Sequence, residues 1–174
     1  MKNTKTRSMV RVAIIAALYA ALTYAQGILL PGTTTAAVQF RASEALNVLA
    51  LFFPEAIPGL TLGCVISNIY SIGQGLPLDM IFGSIATLGA SAAMYLLRNV
   101  RIKDYPWLAM LMPAVFNGII VGWEIEYFFI EGGFDIGDFL FQGGCVALGE
   151  IGVMAILGTA LYYAITKRGL DKKL

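Results

Sequence analysis

The sequence predicts an all-α membrane protein: a single domain over residues 1–174 folded as a six-transmembrane-helix bundle with both termini cytoplasmic. Three observations predict it. Of its residues 58% are hydrophobic and only 13% charged, where an ordinary soluble domain carries about 25% charged residues. Apolar stretches of roughly the 20 residues that a spanning helix needs follow one another along the chain. Eleven of the 12 Lys/Arg residues lie at the N-terminus, in Arg98–Lys103 or after Thr166. The positive-inside rule places all three groups in the cytoplasm, which six spans satisfy.

The first helix is expected over Arg11–Leu30, closed by Pro31–Gly32. Cations before an Ala-rich apolar run imitate a signal peptide, but the run continues to Leu30, so it reads as a spanning helix. Ala13, Ala17 and Ala21 recur every four residues with Ala16 and Ala20 beside them. Such spacing lets a helix approach closely in lipid, from inside the bundle or from a partner. After the polar-small PGTTTAA segment, Pro31–Ala37, a second helix is expected over Val38–Phe53. At about 16 residues, roughly 24 Å, it falls short of the hydrocarbon core. It would then start below the membrane surface, under a cavity roofed by the PGTTT loop.

Pro54 and Pro58 bracket a turn into a third helix, Ala56–Ile72, and the SIGQGLP loop Ser71–Pro77 leads to a fourth, Leu78–Leu97. The fourth carries a small-residue stripe at Gly83, Ala86, Ala90 and Ala93 and ends in the basic RNVRIK cluster. The fifth is expected over Tyr105–Phe129 and the sixth over Phe139–Thr166, joined by the acidic EGGFDIGD loop, Glu131–Asp138.

Within this apolar frame the polar residues are informative. Arg41 is the one cation away from the basic clusters. An ionisable group at membrane depth is costly and by default marks a function with a named partner. Glu44, at i+3, is the expected partner, and a pair that simply satisfies itself is the alternative reading. Gln39, Arg41, Glu44, Asn68, Asp79, Glu124 and Glu126 are placed in the outer half, and Asn117 and Glu150 near the middle. That asymmetry suggests a pocket open to the outside and closed below.

Asn117 and Glu124, seven apart, share a face, whereas Glu126 points away and is expected among the headgroups. Glu150 aligns with Gly143, which is expected to leave room above the carboxylate. Asp79, just after Pro77, has the simpler reading of a helix cap. Trp123 and Tyr127 sit where aromatic-belt residues sit, and Trp123 is also a candidate wall for a flat ligand. Glu44, Glu124 and Glu150 outnumber Arg41, which suits a nitrogen-rich flat solute or a cation, since a carboxylate accepts paired N–H bonds.

Other classes are disfavoured. With no histidine, imidazole catalysis and His-ligated zinc or haem are excluded; no metal or cofactor site is expected. Cys64 and Cys145 are expected as buried free thiols. The chain has no phosphate loop and no HExxH, and no basic patch for nucleic acid. It is not expected to be an enzyme. A stand-alone secondary transporter of a small cationic solute is the main alternative, though no internal repeat is visible.

The segments VQFRASEALNVLALFFPEAIPGLTLGCVISN and GLPLDMIFGSIATLGA closely resemble the QueT family. Its members are substrate-binding S components of energy-coupling factor (ECF) transporters, assigned to queuosine precursors. The resemblance implies an S-component-like bundle, multi-pass in the bacterial plasma membrane among its lipids. It implies a 7-deazaguanine ligand (preQ1, preQ0 or queuine) bound by Gln39, Arg41, Glu44, Asn68, Asn117, Trp123, Glu124 and Glu150. Arg41 would orient Glu44 and not touch a cationic ligand. Ala13, Ala16, Ala17, Ala20 and Ala21 would dock on the transmembrane coupling protein, and two ATPase partner subunits would hydrolyse the ATP.

Overall fold

The computed structural model describes residues 4–33, 40–73 and 78–169. Among them there is no strand, and four helices are long and apolar enough to cross a membrane: Lys5–Leu29, Asp79–Leu97, Trp107–Phe129 and Ile136–Lys167. Two shorter apolar helical segments are Ala42–Leu51 and Ala56–Ile69.

Helix α1 spans Thr4–Leu29 and packs along α2, Ala56–Gly73. Glycines let the two come close: a Cβ on Gly63 would sit 2.6 Å from Tyr19 Cβ, and one on Gly59 2.9 Å from Ile15 Cβ. This splits the alanine stripe. Ala16 and Ala20 are buried inside the bundle and so do not form an outward docking face, whereas Ala13, Ala17 and Ala21 are exposed. Adjacent residues on a helix point 100° apart, so α2 covers Ala16 and Ala20 while Ala17 and Ala21 beside them face outward.

The second segment departs from expectation. In place of the α-helix expected over Val38–Phe53, Ala42–Leu51 is a 3-10 helix; residues 38 and 39 lie outside the described residues. At about 2 Å per residue it extends roughly 20 Å. Its burial follows a period of three: Arg41, Glu44, Asn47 and Ala50 are all buried, as are Ala45, Val48 and Leu51, while Leu46 and Leu49 are only partly so. Three residues per turn hold the three polar groups in one row; α-helical winding would rotate each step by about 60°. The segment contacts α1, α2, α3 and the second half of the last helix, and so forms the axis of the bundle.

Helix α3 spans Asp79–Leu97. The next crossing is broken: α4, Trp107–Met110, gives way at Leu111 to α5, Met112–Phe129. Pro113 explains the break, because its ring displaces the carbonyl four residues earlier and it donates no N–H. Helix α6, Ile136–Val153, begins under an N-cap in which Asp135 accepts from the backbone N–H groups of Gly137 and Asp138. A π-helical turn, Met154–Gly158, joins it to α7, Thr159–Lys167.

Helices α5 and α6 meet almost backbone to backbone. A Cβ on Gly122 would lie 2.5 Å from Gly143 Cα, and one on Gly143 2.5 Å from Gly118 O. Gly143 therefore admits the neighbouring helix and leaves no room above Glu150, as small residues do in lipid-embedded bundles.

The burial pattern is inverted relative to a soluble domain. Ile14, Leu18, Ile81, Ile85, Ile119, Leu140 and Leu148 face outward, while Arg41, Glu44, Asp79, Glu124, Glu126 and Glu150 are buried. Exposed apolar residues over buried charges are what a lipid-facing bundle requires. The cysteines are free, but only Cys64 is buried; Cys145 is partly exposed on α6.

Candidate polar site in the bundle interior

Two bonded nodes and two incompletely bonded carboxylates make up the buried polar interior. The first node is Arg41. Its guanidinium forms an ion pair with Asp79 and donates to Asn68 Oδ1 at 3.2 Å. Asn68 in turn donates to the Asp79 carbonyl at 2.7 Å, stitching α2 to the start of α3. Gly83 makes space for this, since a Cβ there would lie 2.8 Å from Asp79 Oδ1. The expected Arg41–Glu44 pair is thus replaced. Arg41 is the N-cap, with an extended backbone (φ −99°, ψ 105°). Outside the helical turn, the i,i+3 rule does not direct its side chain toward Glu44.

Glu44 is the second node. Tyr19 donates to its Oε1 and Asn47 to its Oε2. Thr87 Oγ1 lies 3.3 Å from Oε1. Glu44 therefore joins α1, the 3-10 helix and α3. Gln26 of α1 holds the start of the segment, accepting from the Ala42 N–H at 2.8 Å and donating to the Phe40 carbonyl. Tyr19 and Thr87 were not among the residues that the sequence pointed to. A signal for Tyr19 existed: Tyr19, Thr23 and Gln26 lie at i, i+4 and i+7, a polar stripe on an otherwise apolar helix.

Glu124 on α5 and Glu150 on α6 are each 1% exposed. Both oxygens of Glu124 and Oε2 of Glu150 are buried without a hydrogen-bond partner, as is Asn47 Oδ1. A buried polar group normally pairs or coordinates something, so these atoms are exceptions, a condition they share with Ser84 Oγ and Glu126 Oε2. With Arg41 already matched by Asp79, the interior holds carboxylates in excess.

The remaining candidates are placed as follows. Asn117 is buried and donates to the Pro113 carbonyl at 3.0 Å, so its amide N–H serves its own broken helix. Trp123 makes its ring contacts in an aromatic cluster, stacked on Tyr127 at 5.1 Å and edge-on to Phe82 at 5.6 Å. Glu126 is buried within the protein: its Oε1 accepts from the Asp135 N–H at 2.8 Å and so holds the turn into α6. Gln39 and residues 34–37 of the loop before it lie outside the described residues, as do residues 74–77. A separate groove of about 370 Å³ opens on another part of the surface, between Lys103–Leu111 and Ile151–Tyr163.

The arrangement can accept N–H donors and positive charge.

A family model described as QueT transporter matches residues 9–167. A relative from Lactococcus lactis subsp. cremoris (strain MG1363), described as "Queuosine precursor transporter QueT", is 39% identical over 116 residues. The alignment covers 67% of this chain and 66% of the relative, so it spans slightly under two thirds of the relative's length. No solved structure matches the chain. The family is one of transporters and not of enzymes. With a family model spanning nearly all of its helices, the chain belongs to the QueT transporter family.

Proposed function

We propose that the chain is the substrate-capture subunit of an ATP-driven ECF-type importer and binds a 7-deazaguanine queuosine precursor in its polar interior. One observation carries the reading: Glu124 and Glu150 are buried with unpartnered oxygens, while the one interior cation is already matched by Asp79. A 7-deazaguanine offers what these atoms lack. Its N1–H and 2-amino group present two parallel donors to one carboxylate. The aminomethyl ammonium of preQ1 offers charge to a second. Arg41, bound to Asp79 and Asn68, shapes the site from behind and leaves the ligand to the glutamates.

The finer architecture belongs to the same proposal. Six membrane segments, with both termini and the Arg98–Lys103 loop in the cytoplasm, follow from the cation distribution. The exposed Ala13, Ala17 and Ala21 face would meet the coupling protein, and two ATPase subunits would supply the energy. The chain would then lie in a bacterial plasma membrane as a multi-pass protein.

Calorimetric titration of the detergent-purified chain with preQ1, preQ0, queuine and guanine tests the reading. Submicromolar or tighter binding of one 7-deazaguanine is expected, and no heat with any of the four would overturn the ligand assignment. Uptake into ATP-free vesicles by the chain alone would contradict the ECF role and favour a secondary transporter.

A further inference from the structure

We propose that the groove between Lys103–Leu111 and the π-helical turn is a binding site for an anionic phospholipid. It is separate from the polar interior; it rests on the membrane orientation proposed above and not on the ligand proposed for that interior. Three features favour that occupant. The groove is an open cavity of about 370 Å³ walled mainly by apolar side chains, among them Trp107, Leu111, Met154 and Ala155, as an acyl chain needs.

Its mouth is polar and cationic. Lys103 lines it, beside the Tyr105 and Thr159 hydroxyls, which are bonded to each other at 2.6 Å. Lys167 lies near its rim, 6.0 Å from the Tyr163 ring. These groups belong to the basic end of the bundle, where an anionic leaflet is expected, and basic pockets between membrane helices take phospholipid headgroups.

The local backbone is also unusual on both sides. Lys103 (φ 52°) and Asp104 (φ 62°) are consecutive left-handed residues without being glycine. They are held by the Tyr162 hydroxyl, which donates to the Asp104 carbonyl at 3.3 Å. Opposite them the π turn places Ala155 in the wall, and Thr159 Oγ1 lies 3.1 Å from the Met154 carbonyl. Strained loops and π turns of this kind concentrate at functional sites.

The test uses tryptophan quenching in nanodiscs. Trp107 and Trp123 are the two tryptophans, so a Trp123→Phe background leaves Trp107 to report on the groove. Titrated into phosphatidylcholine nanodiscs, dibrominated phosphatidylglycerol should quench Trp107 at a mole fraction roughly fivefold lower than dibrominated phosphatidylcholine does, the worth of one interfacial cation. Lys103→Gln should remove that preference, and Ala155→Phe should weaken quenching by both lipids, with melting temperatures unchanged in each. Equal quenching by the two lipids before any change at Lys103 would overturn the proposal, as would quenching indifferent to both variants. Protection of Trp107 only on assembly with a protein partner would overturn it as well.

Discussion

Around Arg41 and Glu44 each charged group meets partners from other segments, whereas Glu124 and Glu150, just as buried, keep carboxylate oxygens without one. The first region draws on α1, α2, α3 and the 3-10 helix, and its bonds join those elements. The second sits on α5 and α6, which glycines already hold backbone to backbone. Helices locked by packing do not need their buried carboxylates for cohesion. The difference separates polar groups that hold the fold from polar groups available to a ligand.

The largest effect should come from breaking the bonded region. Asp79→Ala leaves Arg41 as a buried charge without its ion pair, and removing one partner of such a pair costs about 3–5 kcal/mol. Thermal unfolding in detergent without ligand should show it. Adding Arg41→Met to that variant should restore part of the loss, because no lone charge remains. A neutral outcome for Asp79→Ala would place the two regions on an equal footing.

Next in size, Glu124→Gln or Glu150→Gln should weaken ligand binding by about 1.5–3 kcal/mol, the worth of a hydrogen bond to a charged group. Neither should lower the melting temperature of the ligand-free protein, since both oxygens of Glu124 and Oε2 of Glu150 hold no other element in place. Tyr19→Phe should have the smallest effect, about 1 kcal/mol of stability, because Glu44 keeps Asn47 on its second oxygen and Thr87 near its first. A larger loss would show that Tyr19 sets the position of Glu44.

Much of this division was legible in the sequence. Polar residues are scarce enough in an apolar chain that Arg41, Glu44, Asn68, Asp79, Glu124 and Glu150 stand out, and all prove to be buried. The limits of α2 and α3 were also readable, expected over Ala56–Ile72 and Leu78–Leu97 and found over Ala56–Gly73 and Asp79–Leu97. Partnership was not. Whether Arg41 reaches Glu44 or Asp79 depends on its extended backbone, which neither spacing nor composition reports. The 3-10 winding was hidden for a related reason: ten residues rich in Ala, Leu and Val suit either helix, and the choice follows from lining three polar groups toward one axis. Gly143, Ala16 and Ala20 were misplaced because a small residue marks close approach without saying what approaches. The burial of Glu126 was not legible because its partner is a backbone N–H of the turn that follows its helix.

The most direct measurement is affinity and melting temperature on the same samples of the starting protein, Glu124→Gln and Glu150→Gln, titrated with preQ1, preQ0, queuine and guanine. The account predicts that a 7-deazaguanine binds the starting protein submicromolar or tighter, and that at least one variant loses tenfold or more of that affinity while melting no lower than its parent. Full affinity in both variants, or a fall in melting temperature comparable to that of Asp79→Ala, would contradict it.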